Sequence, residues 1–260
     1  MIPKTSDRLV SVAVLLFLLF VYLLTYSGSL HSSDGQAMFS VSESLVRRGS
    51  YDINQIRWMG LQQGTFGPDG NLYCRKGLGT SLAVIPLAWL GLIIPWWGVV
   101  QTAMLLNPLV TAATGMLVFL YVRRLGYARP IAVVTTLAFG LGTIAWPYTK
   151  YLFSEPLTGL CLMAAAYFLL PTGPGERRYS PTSSLAVGLF LGLAIATRFA
   201  NAVLVPVYFS VLILSLLRWR GSLTVSRLRP HPGLVIKDTW REVLCFAMPL
   251  LSWAATMALY

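Results

Sequence analysis

Long apolar blocks separated by short charged segments dominate this chain: Leu9–Ser27, Gly98–Val122, Ile131–Tyr148, Pro156–Leu170, a double-length stretch from Ser184 to Leu217, and Val243–Tyr260. As helices, blocks of this length match the roughly 30 Å of hydrocarbon in a bilayer, where a helix satisfies its own backbone polar groups. The Ser184–Leu217 stretch is too long for one span at about 1.5 Å rise per residue. It is interrupted by Thr197-Arg198-Phe199-Ala200-Asn201, so two helices joined by a hairpin are expected there. The pattern predicts an all-α polytopic membrane protein with about seven transmembrane helices.

One more apolar stretch, Gly77–Pro95, is nearly long enough to span, but it opens on Gly77 and Gly79 and contains Pro86 and Pro95. Charge decides how it is read. If it does not cross, the basic loops at 123–129, 176–178 and 218–241 fall on the same side as Lys4 and Arg8. That side then holds 13 basic and 4 acidic residues, against 7 and 5 on the other. A crossing would place those loops opposite the N-terminus and break the positive-inside pattern. The segment is therefore expected to lie in the interface or re-enter, with Trp89, Trp96 and Trp97 at headgroup depth and the N-terminus cytoplasmic in a cell membrane.

This leaves 28–97 as an outer loop carrying amphipathic and interfacial helices. Within it, Asp34 to Arg48 reads as a surface helix, with Ser33 as N-cap, an apolar stripe of Ala37, Met38, Val41, Leu45 and Val46, and Gly49 at its end. Asn54–Gly70 reads as irregular loop with turn chemistry at Gly67-Pro68-Asp69-Gly70.

Composition agrees with a membrane protein: of 260 residues, 56% are hydrophobic and 11% charged, with a mean hydropathy of +0.67. The net charge of +11 would suggest nucleic acid in a soluble protein, but here the basic residues sit in short inter-span loops, and no nucleic-acid partner is expected. Cys74, Cys161 and Cys245 are scattered and fit neither a disulfide framework nor a zinc pattern. No Gly-rich nucleotide loop, paired-histidine metal motif or nucleophile elbow is present. Metal ligands are therefore unassigned, and a divalent cation stays open.

A few charged positions stand out. Asp34 follows the first span closely in His31-Ser32-Ser33-Asp34-Gly35, where it can serve as a general base or simply support a helix N-terminus. Arg75 and Lys76 precede the interfacial segment at lipid-phosphate height, suiting a lipid-linked phosphate or ordinary snorkelling. Glu155, between Ser154 and Pro156, is either a functional acid or a helix-start residue. Arg198, the only charge between Ser184 and Leu217, lies near Asn201. It can bind phosphate, pair with Glu155, or reach the headgroups as a turn residue. Tyr148, Lys150 and Tyr151 sit in the same outer turn and receive no role, because an aromatic belt explains the tyrosines.

Four segments, in this order, resemble the GT-C membrane glycosyltransferases, the group that includes protein mannosyltransferases and bacterial aminoarabinose transferases. They are Ser33-Asp34-Gly35-Gln36-Ala37-Met38-Phe39 leading into Ser42-Glu43-Ser44-Leu45; Tyr73-Cys74-Arg75-Lys76-Gly77; Leu152-Phe153-Ser154-Glu155-Pro156-Leu157; and Gly188 to Pro206 with Thr197-Arg198. The resemblance covers most of the chain. It implies inverting transfer of a sugar from a polyprenyl-phosphate donor to a lipid, glycan or protein acceptor at the outer face. Asp34 would be the catalytic base and Glu155 the second catalytic acid, while Lys76, with Arg75, would hold the donor phosphate. Arg198 is added to the substrate-binding set on charge and position. Family members run longer, and this chain stops at Tyr260 within an apolar run. A single, incomplete GT-C-type module is expected over 1–260. The competing expectation is a non-enzymatic lipid-carrier transporter or membrane assembly subunit, in which Asp34, Glu155 and Arg198 form a polar path or an interhelical pair.

Overall fold

The first apolar block forms helix α1, Thr5–Leu24, and its sequence buries one face only. Val14, Leu18 and Tyr22, spaced four apart, are buried with Ala112, whereas Leu9, Leu16, Phe20 and Leu24 on other faces are exposed. The Tyr22 hydroxyl, on the same buried face, donates to Gly140 O at 3.0 Å. These features come from a computed structural model that describes residues 5–94, 96–170, 181–219, 240 and 243–251.

Helices account for 77% of the structure and strands for 3%. After α1 come α2 (Ser33–Arg48), a 3-10 segment (Asn54–Gln62), β1 (Gly64–Phe66), β2 (Leu72–Cys74), α3 (Leu78–Ile93), α4 (Val99–Met104) and α5 (Leu106–Arg124). Then follow α6 (Arg129–Gly142), α7 (Ala145–Tyr148), α8 (Glu155–Leu169), α9 (Pro181–Thr197), a second 3-10 segment (Phe199–Leu204) and α10 (Val205–Trp219). Residues 243–251 are also helical, and Phe246 packs with Val187, Leu191 and Leu212.

Among the described residues, only α1 and the α4–α5 run, Ser6–Leu24 and Val99–Arg124, are long and apolar enough to cross a membrane. The other apolar helices are shorter. The expected Ile131–Tyr148 span is split: Thr143 Oγ1 donates to Phe139 O at 2.6 Å and accepts from Ala145 N at 3.2 Å, so its side chain ends α6 and starts α7. The break expected at Thr197–Asn201 is present, where α9 gives way to a 3-10 turn before α10. The loop 176–178, most of 218–241, Pro95 and the end of the last apolar block lie outside the described residues.

Helix ends sort into two sets. At one end, buried Asp7 pairs with Arg123 at 3.1 Å and with Arg129 at 2.9 Å, and Arg124 donates to Tyr167 O at 3.0 Å. At the other, Trp146 Nε1 donates to Thr25 Oγ1 at 3.0 Å, Ser27 Oγ donates to Lys150 O at 3.2 Å, and Arg198 meets Glu155. Helices α2, α3 and α4 gather at this second end. Helix α3 starts against the last turn of α9 and ends against the first turn of α4.

Helix α2 departs from the expected surface helix. It keeps the Ala37–Met38–Val41 stripe buried, but Phe39, Ser40, Ser42 and Ser44 are buried as well. The Ser42 hydroxyl donates to Ser81 O at 2.7 Å and Ser81 Oγ donates to Met38 O at 2.9 Å, so α3 satisfies Ser42, while Ser44 Oγ accepts from Gln55 Nε2 at 3.1 Å. Its N-cap is Ser32 rather than Ser33, with Ser32 Oγ accepting from Gly35 N at 3.0 Å. Gly49 closes it in the left-handed conformation, φ +67°, as the glycine signal requires. The region expected to be irregular between Asn54 and Gly70 contains the 3-10 segment and one strand of a hairpin. The hairpin pairs Thr65 with Tyr73 across the Gly67–Gly70 turn.

Candidate active site

Two glycines let the site form. A Cβ on Gly79 would lie 2.2 Å from Thr197 Oγ1 and 2.8 Å from Thr197 Cα, and one on Gly77 would lie 2.4 Å from Ala196 O. Real side chains do not pack so closely, so the start of α3 can touch the end of α9 only without side chains at these positions. That contact carries Lys76, one residue before Gly77, towards Arg198, one residue after Thr197.

From the other side, α2 delivers Asp34 in its first turn, where a carboxylate also complements the helix dipole. Lys76 Nζ donates to Asp34 Oδ2 at 2.8 Å. Helix α8 opens on Glu155 with Pro156 behind it, and the Glu155 carboxylate accepts from Arg198. The loop before Glu155 is fixed by buried Asn107 of α5, whose Nδ2 donates to Phe153 O at 3.1 Å and also to Tyr151 O. The two ion pairs are about equally exposed, with side-chain exposures of 39% and 43% for Lys76 and Asp34 and 46% and 37% for Arg198 and Glu155. Pairs this open contribute on the order of 1 kcal/mol or less to stability. They orient the groups instead.

Asp34, Arg75, Lys76, Glu155 and Arg198 all line one open cavity of about 1300 Å³. The structure thus brings together every residue that the sequence singled out for chemistry. Asn201, noted beside Arg198, instead donates its amide to Ala194 O at 2.8 Å and ends α9. Lys150 and Tyr151 do not line the cavity, whereas Tyr148 does.

Sequence reasoning missed part of the wall. Tyr51, Phe66, Asp69, Tyr73, Phe153 and Phe199 also line the cavity. Asp69 accepts from the Tyr73 hydroxyl at 2.7 Å and from Asn71. The Tyr73 hydrogen bond, with those from Asn71, holds the Asp69 carboxyl below its ordinary range, and the same bond pushes the Tyr73 phenol up. Cys74, the last residue of β2, also borders the cavity but is buried, and burial raises its thiol, which argues against a nucleophile. The turn at Gly67–Gly70 was the available signal for this wall.

An apolar groove of about 510 Å³ adjoins the cavity, sharing Tyr148 and Glu155 with it and extending past Val118, Leu162 and Tyr208. Among the described residues, no three His, Cys, Asp or Glu side chains group so as to hold a metal ion. The assembled site offers carboxylates for proton removal, cations for an anionic group, and aromatic walls. No family model, curated protein or solved structure matches the chain.

Proposed function

We propose that this protein is a polytopic membrane glycosyltransferase that moves a sugar from a polyprenyl-phosphate donor to an acceptor hydroxyl, with inversion. The observation that carries the reading is the shared cavity: one base candidate, a second acid and three cations meet there from segments far apart in sequence. The exposed apolar face of α1, and Arg123 and Arg129 gathered on Asp7 at the end opposite the cavity, support a membrane setting with the cavity on the outer side of a cell membrane. The adjoining groove is apolar enough for a lipid chain.

In this mechanism the acceptor oxygen attacks the anomeric carbon from the face opposite the phosphate. The carbon–oxygen bond to phosphate breaks, and the lipid phosphate departs with the electron pair. Asp34 takes the acceptor proton, Glu155 orients the sugar hydroxyls, and cationic side chains of the cavity supply positive potential for the departing phosphate. A carrier that merely moves lipid needs its polar groups along a path, whereas these gather at one end of the bundle, which favours the enzyme. The test is a transfer assay of the full-length protein with a panel of polyprenyl-phosphate sugars. Formation of a glycosylated acceptor with inverted configuration is expected, and absence of transfer from every donor, with the protein folded, would contradict the reading.

A further inference from the structure

The three cations of the cavity are not equivalent. Lys76 is committed to Asp34 at 2.8 Å and Arg198 to Glu155. Arg75 is exposed, lines the same cavity, and among the described residues its guanidinium has no ion pair or hydrogen bond. Its backbone is nevertheless fixed. Arg75 N donates to Gln63 O at 3.2 Å, and Gln63 Nε2 donates to Ser33 Oγ at 2.9 Å, which ties Arg75 to the residue preceding Asp34.

The charge of Lys76 is already offset by Asp34, so a phosphate taken up there shares the ammonium with that carboxylate and lies beside a second anion. One taken up by Arg75 displaces nothing and meets a planar fork of donors matched to two phosphate oxygens.

We propose that Arg75 captures the donor phosphate and that Lys76 is a positioning residue that holds Asp34 for proton removal. The inference rests on the glycosyltransferase reading and divides the roles within that site. Lys76 stays an ammonium throughout; the acceptor proton goes to Asp34, and the negative charge released on bond cleavage ends on the lipid phosphate beside Arg75.

The experiment measures binding of a long-chain polyprenyl monophosphate to the full-length wild type and to Arg75→Gln, Arg75→Lys and Lys76→Gln, with thermal unfolding of each as a folding control. Loss of a charge-assisted bidentate contact predicts about tenfold or greater weakening in Arg75→Gln, with partial recovery in Arg75→Lys. Lys76→Gln should bind within about threefold of wild type, as expected for loss of an exposed pair, while kcat for transfer falls and KM for the donor stays nearly unchanged. Weakened binding in Lys76→Gln with wild-type binding in Arg75→Gln overturns the division of roles alone. Failure of the wild type to bind the lipid phosphate or to transfer overturns the parent reading with it.

Discussion

Lys76 and Asp34 are 42 residues apart in sequence, yet Lys76 Nζ lies 2.8 Å from Asp34 Oδ2. Asp34 is set by the capped start of α2 and Lys76 by the close docking of α3 on α9. The distance between them therefore reports on the whole assembly at this end of the bundle.

Gly79→Ala tests that docking. The added Cβ would fall 2.2 Å from Thr197 Oγ1 and 2.8 Å from backbone atoms of Thr197, so the helices must separate. A cost of about 1–3 kcal/mol is expected, as for overpacking elsewhere, together with loss of transfer beyond what stability explains. Thermal unfolding and transfer rate measured on the same preparation check this, and an unchanged pair of values would contradict the contact.

Asn107→Leu tests the loop before Glu155. Its amide is the tie to Phe153 O at 3.1 Å, and its removal leaves the part-buried Tyr151 and Phe153 carbonyls without that donor. A destabilisation of about 1–3 kcal/mol is expected, with transfer reduced through misplacement of Glu155. Wild-type activity in a folded Asn107→Leu protein would show that the loop needs no tether.

Asp52 gives a pH test. Burial would raise its carboxyl, but Ser50, the Asn54 amide and Arg48 together hold it below the ordinary carboxylate range. Since the folded value is depressed, the stabilisation is fully present above the unfolded value and is lost as pH falls through the folded one. Wild type should thus exceed Asp52→Asn in thermal stability near neutrality, and the difference should shrink only below the ordinary carboxylate range. A difference that grows on acidification would contradict the assignment.

The apolar blocks made the helical character and the break at Arg198 legible, because burial and turn residues are written locally. Ser32 and Ser33 are adjacent possible caps, and only the backbone geometry selects Ser32. The β1–β2 hairpin escaped because strands of three residues are too short for alternation to show. The split at Thr143 escaped because a threonine that competes for backbone hydrogen bonds looks like any other polar residue in an apolar run. The docking of Gly79 on Thr197 joins segments that no local pattern relates. The site residues themselves were legible because charges are scarce in this chain, so each stood out. Their roles as pairs were not, with one exception: Glu155 and Arg198 were seen as possible partners from charge alone.

The most direct measurement is the initial rate of sugar transfer by wild type and Asp34→Asn, with polyprenyl-phosphate binding measured alongside. Ser32, not Asp34, caps α2, and the Asp34–Lys76 pair is half-exposed, so the variant should fold and insert normally. The account predicts that both proteins bind the lipid phosphate and only wild type transfers. Transfer by Asp34→Asn at the wild-type rate would contradict it.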